Sequence, residues 1–128
     1  MKNIIRLMLV PMLMILAAPA YSDPVSMFLQ CEQEDEVSKK DLETVAAKWL
    51  KAAKGSKGGE NLELSLHFPV VAHLPNTDFV LVLRFPSTTQ FGVFFDGYQG
   101  SAAQKLDKEW DEITACPNSA LWKSIKVE

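Results

Sequence analysis

The chain has 128 residues, 48% of them apolar, with 13 basic and 16 acidic side chains and a net charge of −3. That length suits one small domain rather than several. An acidic balance with no basic patch interleaved with aromatics argues against nucleic acid as a partner.

The first 22 residues read as an address rather than as structure. Lys2 and Arg6 precede an apolar run from Leu7 to Ala18. Ala18-Pro19-Ala20 and Ala20-Tyr21-Ser22 then offer the small-x-small pattern of a signal-peptidase site. The run is short for a membrane span, which needs about 20 apolar residues. Residues 1–22 are therefore expected to be a signal peptide and residues 23–128 a single exported domain, periplasmic or secreted, with no membrane association after cleavage. Loss of Lys2 and Arg6 leaves 11 basic and 16 acidic residues and a charge of −5. The two cysteines, Cys31 and Cys116, suggest a bridge in an oxidising compartment, two buried thiols being the alternative.

A first strand is expected over Asp23 to Cys31, with Val25, Met27, Leu29 and Cys31 on one side and Ser26, Phe28 and Gln30 on the other. An acidic loop (Glu32, Glu34, Asp35, Glu36) leads to Ser38-Lys39-Lys40-Asp41, a helix start of the Ser-x-x-acid kind. Leu42, Val45, Ala46, Trp49, Leu50 and Ala53 keep helical rhythm for three turns. Lys51 and Lys54 suit the negative end of the helix dipole, and Gly55 suits the residue after the helix. Residues 55–59 read as a flexible connector. A second strand is expected over Asn61 to Ala72, and Pro69 confines it to a sheet edge or a bulge.

The stretch Asp78 to Tyr98 changes period in the middle. Phe79, Leu81, Leu83 and Phe85 alternate with Val80, Val82 and Arg84, the pattern of a strand. After Pro86, Phe91, Phe94, Phe95 and Tyr98 stand at i, i+3, i+4 and i+7, one face of a helix. Ser87-Thr88-Thr89-Gln90 reads as a capping box between the two. The aromatic stripe reads as core, with a lid or pocket wall as the alternative. Gly97 and Gly100 interrupt the helix. Ser101-Ala102-Ala103-Gln104 starts another piece, with Leu106, Trp110 and Ile113 inward and with Lys105/Glu109 and Lys108/Glu112 as i,i+4 pairs. Pro117-Asn118-Ser119 is expected to end it, before a last strand over Leu121 to Val127.

The order β-α-β-β-α-β is the split βαβ, ferredoxin-like arrangement, an α+β fold with a four-stranded antiparallel sheet. Its usual sheet order, 4-1-3-2, puts the second strand at an edge and brings Cys31 near Cys116. Together with the Phe85-Pro86-Ser87 step, the aromatic helix and the broken second helix, this order resembles the dimeric α+β barrel proteins. That group includes antibiotic-biosynthesis-type monooxygenases and stress-responsive barrel proteins. The resemblance is topological. It implies two sheets packed face to face in a homodimer around a pocket. Oxygenase members use pocket Asn, Trp or His residues, and no motif aligns such residues onto this chain.

One sheet face is apolar and suits the helices. The other carries Ser26, Phe28, Gln30, Glu63, Ser65, His67, Val80, Val82 and Arg84, a mixed set natural for a dimer interface or a pocket. On it His67 can exchange a proton near neutral pH and Arg84 can grip a carboxylate. His67, Arg84, Glu63 and Gln30 are therefore the candidate ligand-binding residues, the plain alternative being an Arg84–Glu63 pair and a merely polar His67. His73 and Asp96 read as loop and helix-surface residues. No G-x-S-x-G, HExxH, phosphate loop or metal-ligand pair is present, and no cofactor or metal is implied. The expected function is binding of a small molecule or partner at a sheet-face dimer interface. A cofactor-independent, monooxygenase-like enzyme and a structural or inhibitor-like interaction protein are the alternatives.

Overall fold

The computed structural model describes residues 23–71 and 74–128. The signal-peptide expectation (1–22) and His73 lie outside the described residues. Strand β1 (Val25–Gln33) is followed by helix α1 (Lys39–Lys54), strands β2 (Glu63–His67) and β3 (Phe79–Phe85), helix α2 (Thr88–Asp96), a tight helical turn (Gln104–Leu106) running into the short helix α3 (Asp107–Asp111), and strand β4 (Thr114–Lys123). All strand pairs are antiparallel, in the order β2-β3-β1-β4. This is the ferredoxin-like α+β fold expected from the sequence, with β2 and β4 at the edges.

Alternation along the strands sorts the side chains. The register aligns Leu66, Leu81 and Leu29 in one row on the helix side and Leu64, Leu83, Met27 and Leu121 in the next. The helices cover this side, and Phe79, Phe85, Phe94, Leu42 and Leu62 are fully buried there. The expected aromatic stripe closes over β3: ring centroids of Phe91 and Phe94 lie 5.3 and 5.4 Å from that of Phe85.

Both long helices start as their sequences dictate. Ser38 caps α1 in a reciprocal box. Its hydroxyl accepts from the Asp41 N–H, and Asp41 Oδ2 accepts from the Ser38 N–H at 2.8 Å. The Ser38 hydroxyl also donates to Asp41 Oδ2 at 2.5 Å, and this bond first, the one from the Ser38 N–H second, holds the Asp41 carboxyl below its ordinary pKa. Ser87 caps α2 by accepting from the Gln90 N–H at 3.1 Å. The return arm of that box does not form: Gln90 Oε1 is buried without a hydrogen-bond partner among the described residues.

Four local expectations need correction. The connector after α1 is packed rather than flexible. Gly55 stays right-handed at φ −78°, and the left-handed residue is Gly58 at φ 86°. A Cβ on Gly58 would meet the Phe94 nitrogen at 2.6 Å, and one on Gly59 would meet the Ala53 oxygen at 2.1 Å. The glycines are there because α1 and α2 leave no room for a side chain. The second strand begins at Glu63 and stops at His67, shorter than expected, since Pro69 cannot continue the ladder.

The last strand begins seven residues earlier than expected, at Thr114, and ends at Lys123. Pro117 therefore lies inside a strand. β4 is an edge, where a missing N–H costs no ladder bond, and the register shifts there: Gln30 pairs with Asn118 but Glu32 with Ala115. Cys31 and Cys116 meet at this bulge and form the expected disulfide, their Cα atoms 4.0 Å apart. Closing a loop of 85 residues contributes about 4–5 kcal/mol in the chain-entropy account. Neither helix-surface pair, Lys105/Glu109 or Lys108/Glu112, forms. Glu109 instead bonds Lys48, tying α3 to α1.

Candidate functional site

The outer face of the sheet holds the residues singled out from the sequence, and the register fixes their spacing. One row across the sheet reads His67, Val80, Gln30, Asn118; the next Ser65, Val82, Phe28, Ala120; the third Glu63, Arg84, Ser26, Trp122. Arg84 and Glu63 are direct neighbours and form an exposed ion pair at 3.9 Å. His67 Nε2 shares a hydrogen bond with the Ser65 hydroxyl at 2.8 Å. His67 and Gln30 share a row with Val80 between them. His67 and Arg84 do not meet: their cross-strand partners stand four residues apart, about 13 Å at roughly 3.3 Å per residue. Phe28 and Trp122 stack edge to face at 6.3 Å and are 36% and 62% exposed. With Val80 and Gln30 they line an open hollow of about 640 Å³.

The helix side holds a different cavity, of about 300 Å³, between the sheet and the helices. Its floor is the leucine and methionine rows of β1, β2 and β3. Its roof comes from three places: Ala46 and Trp49 on α1, Phe95 on α2 with Tyr98 just after it, and Asp107, Trp110 and Asp111 on α3. Cys116 of the disulfide closes one end.

The polar groups in this roof are joined. The Tyr98 hydroxyl donates to Asp107 Oδ1 at 2.6 Å. The Trp49 indole N–H donates to the same oxygen at 3.1 Å and to the Tyr98 oxygen at 3.2 Å. The broken helix makes this meeting possible. Gly100 turns the chain at φ 77°, its N–H donates to Gln104 Oε1, and Ser101 caps the next piece through the Gln104 N–H. The chain thereby folds back and sets Asp107 beside a tyrosine nine residues earlier. Burial pushes the Tyr98 phenol far above its ordinary pKa, and its bond to Asp107 pushes the same way, against a smaller opposing effect of Trp49. Tyr98 therefore keeps its proton at physiological pH and serves as a hydrogen-bond donor. Asp107 Oδ2 makes no hydrogen bond among the described residues, so one carboxylate oxygen is open to a bound molecule.

Sequence reasoning placed Phe95, Tyr98 and Trp110 in the core stripes and did not single out Asp107 or Asp111. The available signal was the one polar tip on an otherwise phenylalanine stripe. Among the described residues, no group of three or more His, Cys, Asp or Glu side chains is placed to hold a metal.

No protein-family model and no curated protein matches this chain. Its backbone is similar to that of SnoaB, a cofactor-independent oxygenase from Streptomyces nogalater, at a TM-score of 0.56 and 9% identity over 83% of this chain and 97% of that one. It is similar to a hydroxynitrile lyase from Passiflora edulis at 0.54 and 14%, over 83% and 95% of the two chains. It is also similar to a DABB family protein with a ferredoxin-like fold from Mesorhizobium loti at 0.53 and 6%, over 84% and 100%. At such identities the likeness concerns the fold alone. The expected resemblance to ferredoxin-like, dimeric α+β barrel proteins holds at that level.

Proposed function

We propose that this chain is an exported protein that binds a small, mainly apolar molecule in the cleft between its sheet and its helices, and that it pairs with a second copy through its outer sheet face. The observation that carries the reading is the cavity of about 300 Å³ inside an otherwise well-filled helix side. Protein interiors are close-packed, and an apolar space of this size with a few convergent polar groups is the usual form of a ligand site.

The other parts of the reading have their own support. The Met1–Ser22 pattern and the Cys31–Cys116 bridge both fit an oxidising, exported setting, periplasmic or secreted, with residues 23–128 as the mature domain. The outer face exposes Phe28 and Trp122 beside Val80 and Val82, an apolar patch that a two-fold related copy would cover isologously. His67, Gln30, Glu63 and Arg84 then belong to that interface. We place the ligand on the helix side rather than beside His67 because His67 and Arg84 are far apart and each already has a neighbour. A second reading, a cofactor-independent enzyme, is favoured by the Tyr98–Asp107 pair at the cavity wall and by the fold likeness to SnoaB.

Calorimetry with 2-naphthalenemethanol, a neutral probe, tests the ligand site. The wild-type protein should bind it, and Ala46→Met, which fills the cavity from α1, should not. Binding that survives Ala46→Met and disappears in Phe28→Ala would move the site to the outer face.

A further inference from the structure

The polar groups of the helix-side cavity differ in what they still offer. Three donor groups belong to its lining: the Tyr98 hydroxyl and the Trp49 indole N–H, both given to Asp107 Oδ1, and the Trp110 indole N–H, which has no hydrogen bond among the described residues. The acceptors are not used up. Asp107 Oδ2 has no hydrogen bond, and Asp111 has neither a hydrogen bond nor an ion pair among the described residues. Among the described residues, no lysine, arginine or histidine lines the cavity. Lys48 of α1 is bound to Glu109 of α3. The rest of the wall includes the faces and edges of Trp49, Trp110, Tyr98 and Phe95.

We propose that the cavity selects a cationic amphiphile: an apolar, preferably aromatic body carrying a protonated amine that is held by Asp107 and Asp111. This rests on the reading of the cavity as a ligand site and adds the ligand's charge. The chemistry is one-sided. A ligand carboxylate entering here would lose its hydration, find the Trp110 indole N–H as its one unused donor, and face two carboxylates. An ammonium would find one unpaired carboxylate oxygen on Asp107, a second carboxylate on Asp111, and aromatic rings able to attract a cation. The acidic chain adds a weak long-range pull of the same sign.

Three probes with one naphthyl body separate the possibilities: 2-naphthylmethylamine, 2-naphthalenemethanol and 2-naphthoate, each titrated calorimetrically into the purified protein at neutral pH. The amine should bind at least about tenfold more tightly than the alcohol, the size of a charge-assisted hydrogen bond at a partly solvated site. Naphthoate should bind most weakly. In Asp107→Asn and, separately, Asp111→Asn, the amine-to-alcohol ratio should fall towards one. Asp111 is the more exposed of the two, so its variant keeps the test open if Asp107→Asn does not fold. Raising the salt concentration should narrow the wild-type ratio as well. Equal binding of amine and alcohol, or tightest binding of naphthoate, would overturn the charge assignment and leave the ligand site standing. An amine preference unchanged in both variants would also overturn it. Binding of none of the three would overturn the ligand site itself.

Discussion

The two faces of the sheet are built from the same strands, and β3 contributes to both. Its odd-numbered residues, Phe79, Leu81, Leu83 and Phe85, are all buried under the helices, while Val80, Val82 and Arg84 remain partly or largely exposed. On the helix side, aromatic rings from α1, α2 and α3 converge and still leave a cavity with a joined polar roof. On the outer face, Arg84 pairs with its cross-strand neighbour Glu63 and His67 with its same-strand neighbour Ser65. A face assembled from one sheet alone offers rows of side chains at fixed spacing. A cleft assembled from a sheet and three helices can bring residues distant in sequence to one point. The difference explains why the converging polar groups lie on the apolar side of this molecule.

That contrast can be broken most severely from within the core. Phe85→Ala should destabilise the protein by about 3–5 kcal/mol, since Phe85 is fully buried and touches Phe91, Phe94 and Phe95. Urea unfolding followed by circular dichroism measures it. A loss below about 1 kcal/mol would mean the aromatic stripe is not the core. Replacing both cysteines with serine should cost about 2–5 kcal/mol in the same measurement. The loss should appear alongside weaker ligand binding, because Cys116 lies at one end of the cavity.

Tyr98→Phe sharpens the contrast through pH. Tyr98 has its pKa raised in the fold, so the unfolded chain loses this proton first. The stability the group contributes is therefore complete below the ordinary tyrosine pKa of about 10 and declines as pH rises above it. Phenolate absorbance from Tyr98 should appear only as the protein unfolds. Tyr98→Phe should be about 1 kcal/mol less stable at neutral pH, having lost one hydrogen bond to a carboxylate, and should show a shallower alkaline decline. Free titration of Tyr98 in the folded protein near pH 10 would contradict the buried pair.

The smallest effect on stability is expected on the outer face. Val82→Asp should change unfolding free energy by only about 1 kcal/mol while converting the proposed dimer to a monomer in light scattering. A wild-type protein that is already monomeric at tens of micromolar would remove the proposed interface.

Much of the fold could be read from residue types because alternation and helical spacing are local properties. Leu81 and Val82 declare opposite faces by position alone, and Cys31 and Cys116 were brought together by strand order. The exceptions are places where a distant element decides. Pro117 reads as a helix stop until β4 is known to be an edge strand with a bulge. Gly58 and Gly59 read as slack until Phe94 and Ala53 are found against them. The cleft was hidden for the same reason. Alternation puts His67 and Arg84 on one face but says nothing of the four residues of strand between their partners. No spacing rule joins Trp49, Tyr98 and Asp107, because only the break after α2 brings Asp107 back.

The three tryptophans test the central claim most directly, since they divide between the two faces. Trp49 and Trp110 line the cleft, and Trp122 stands on the outer face. In a nitrogen–proton correlation spectrum of the labelled protein, titration with 2-naphthalenemethanol should shift the indole signals of Trp49 and Trp110 and leave that of Trp122 in place. Movement of the Trp122 signal with Trp49 and Trp110 unchanged would contradict the account and put the ligand on the outer face, beside Phe28 and Gln30.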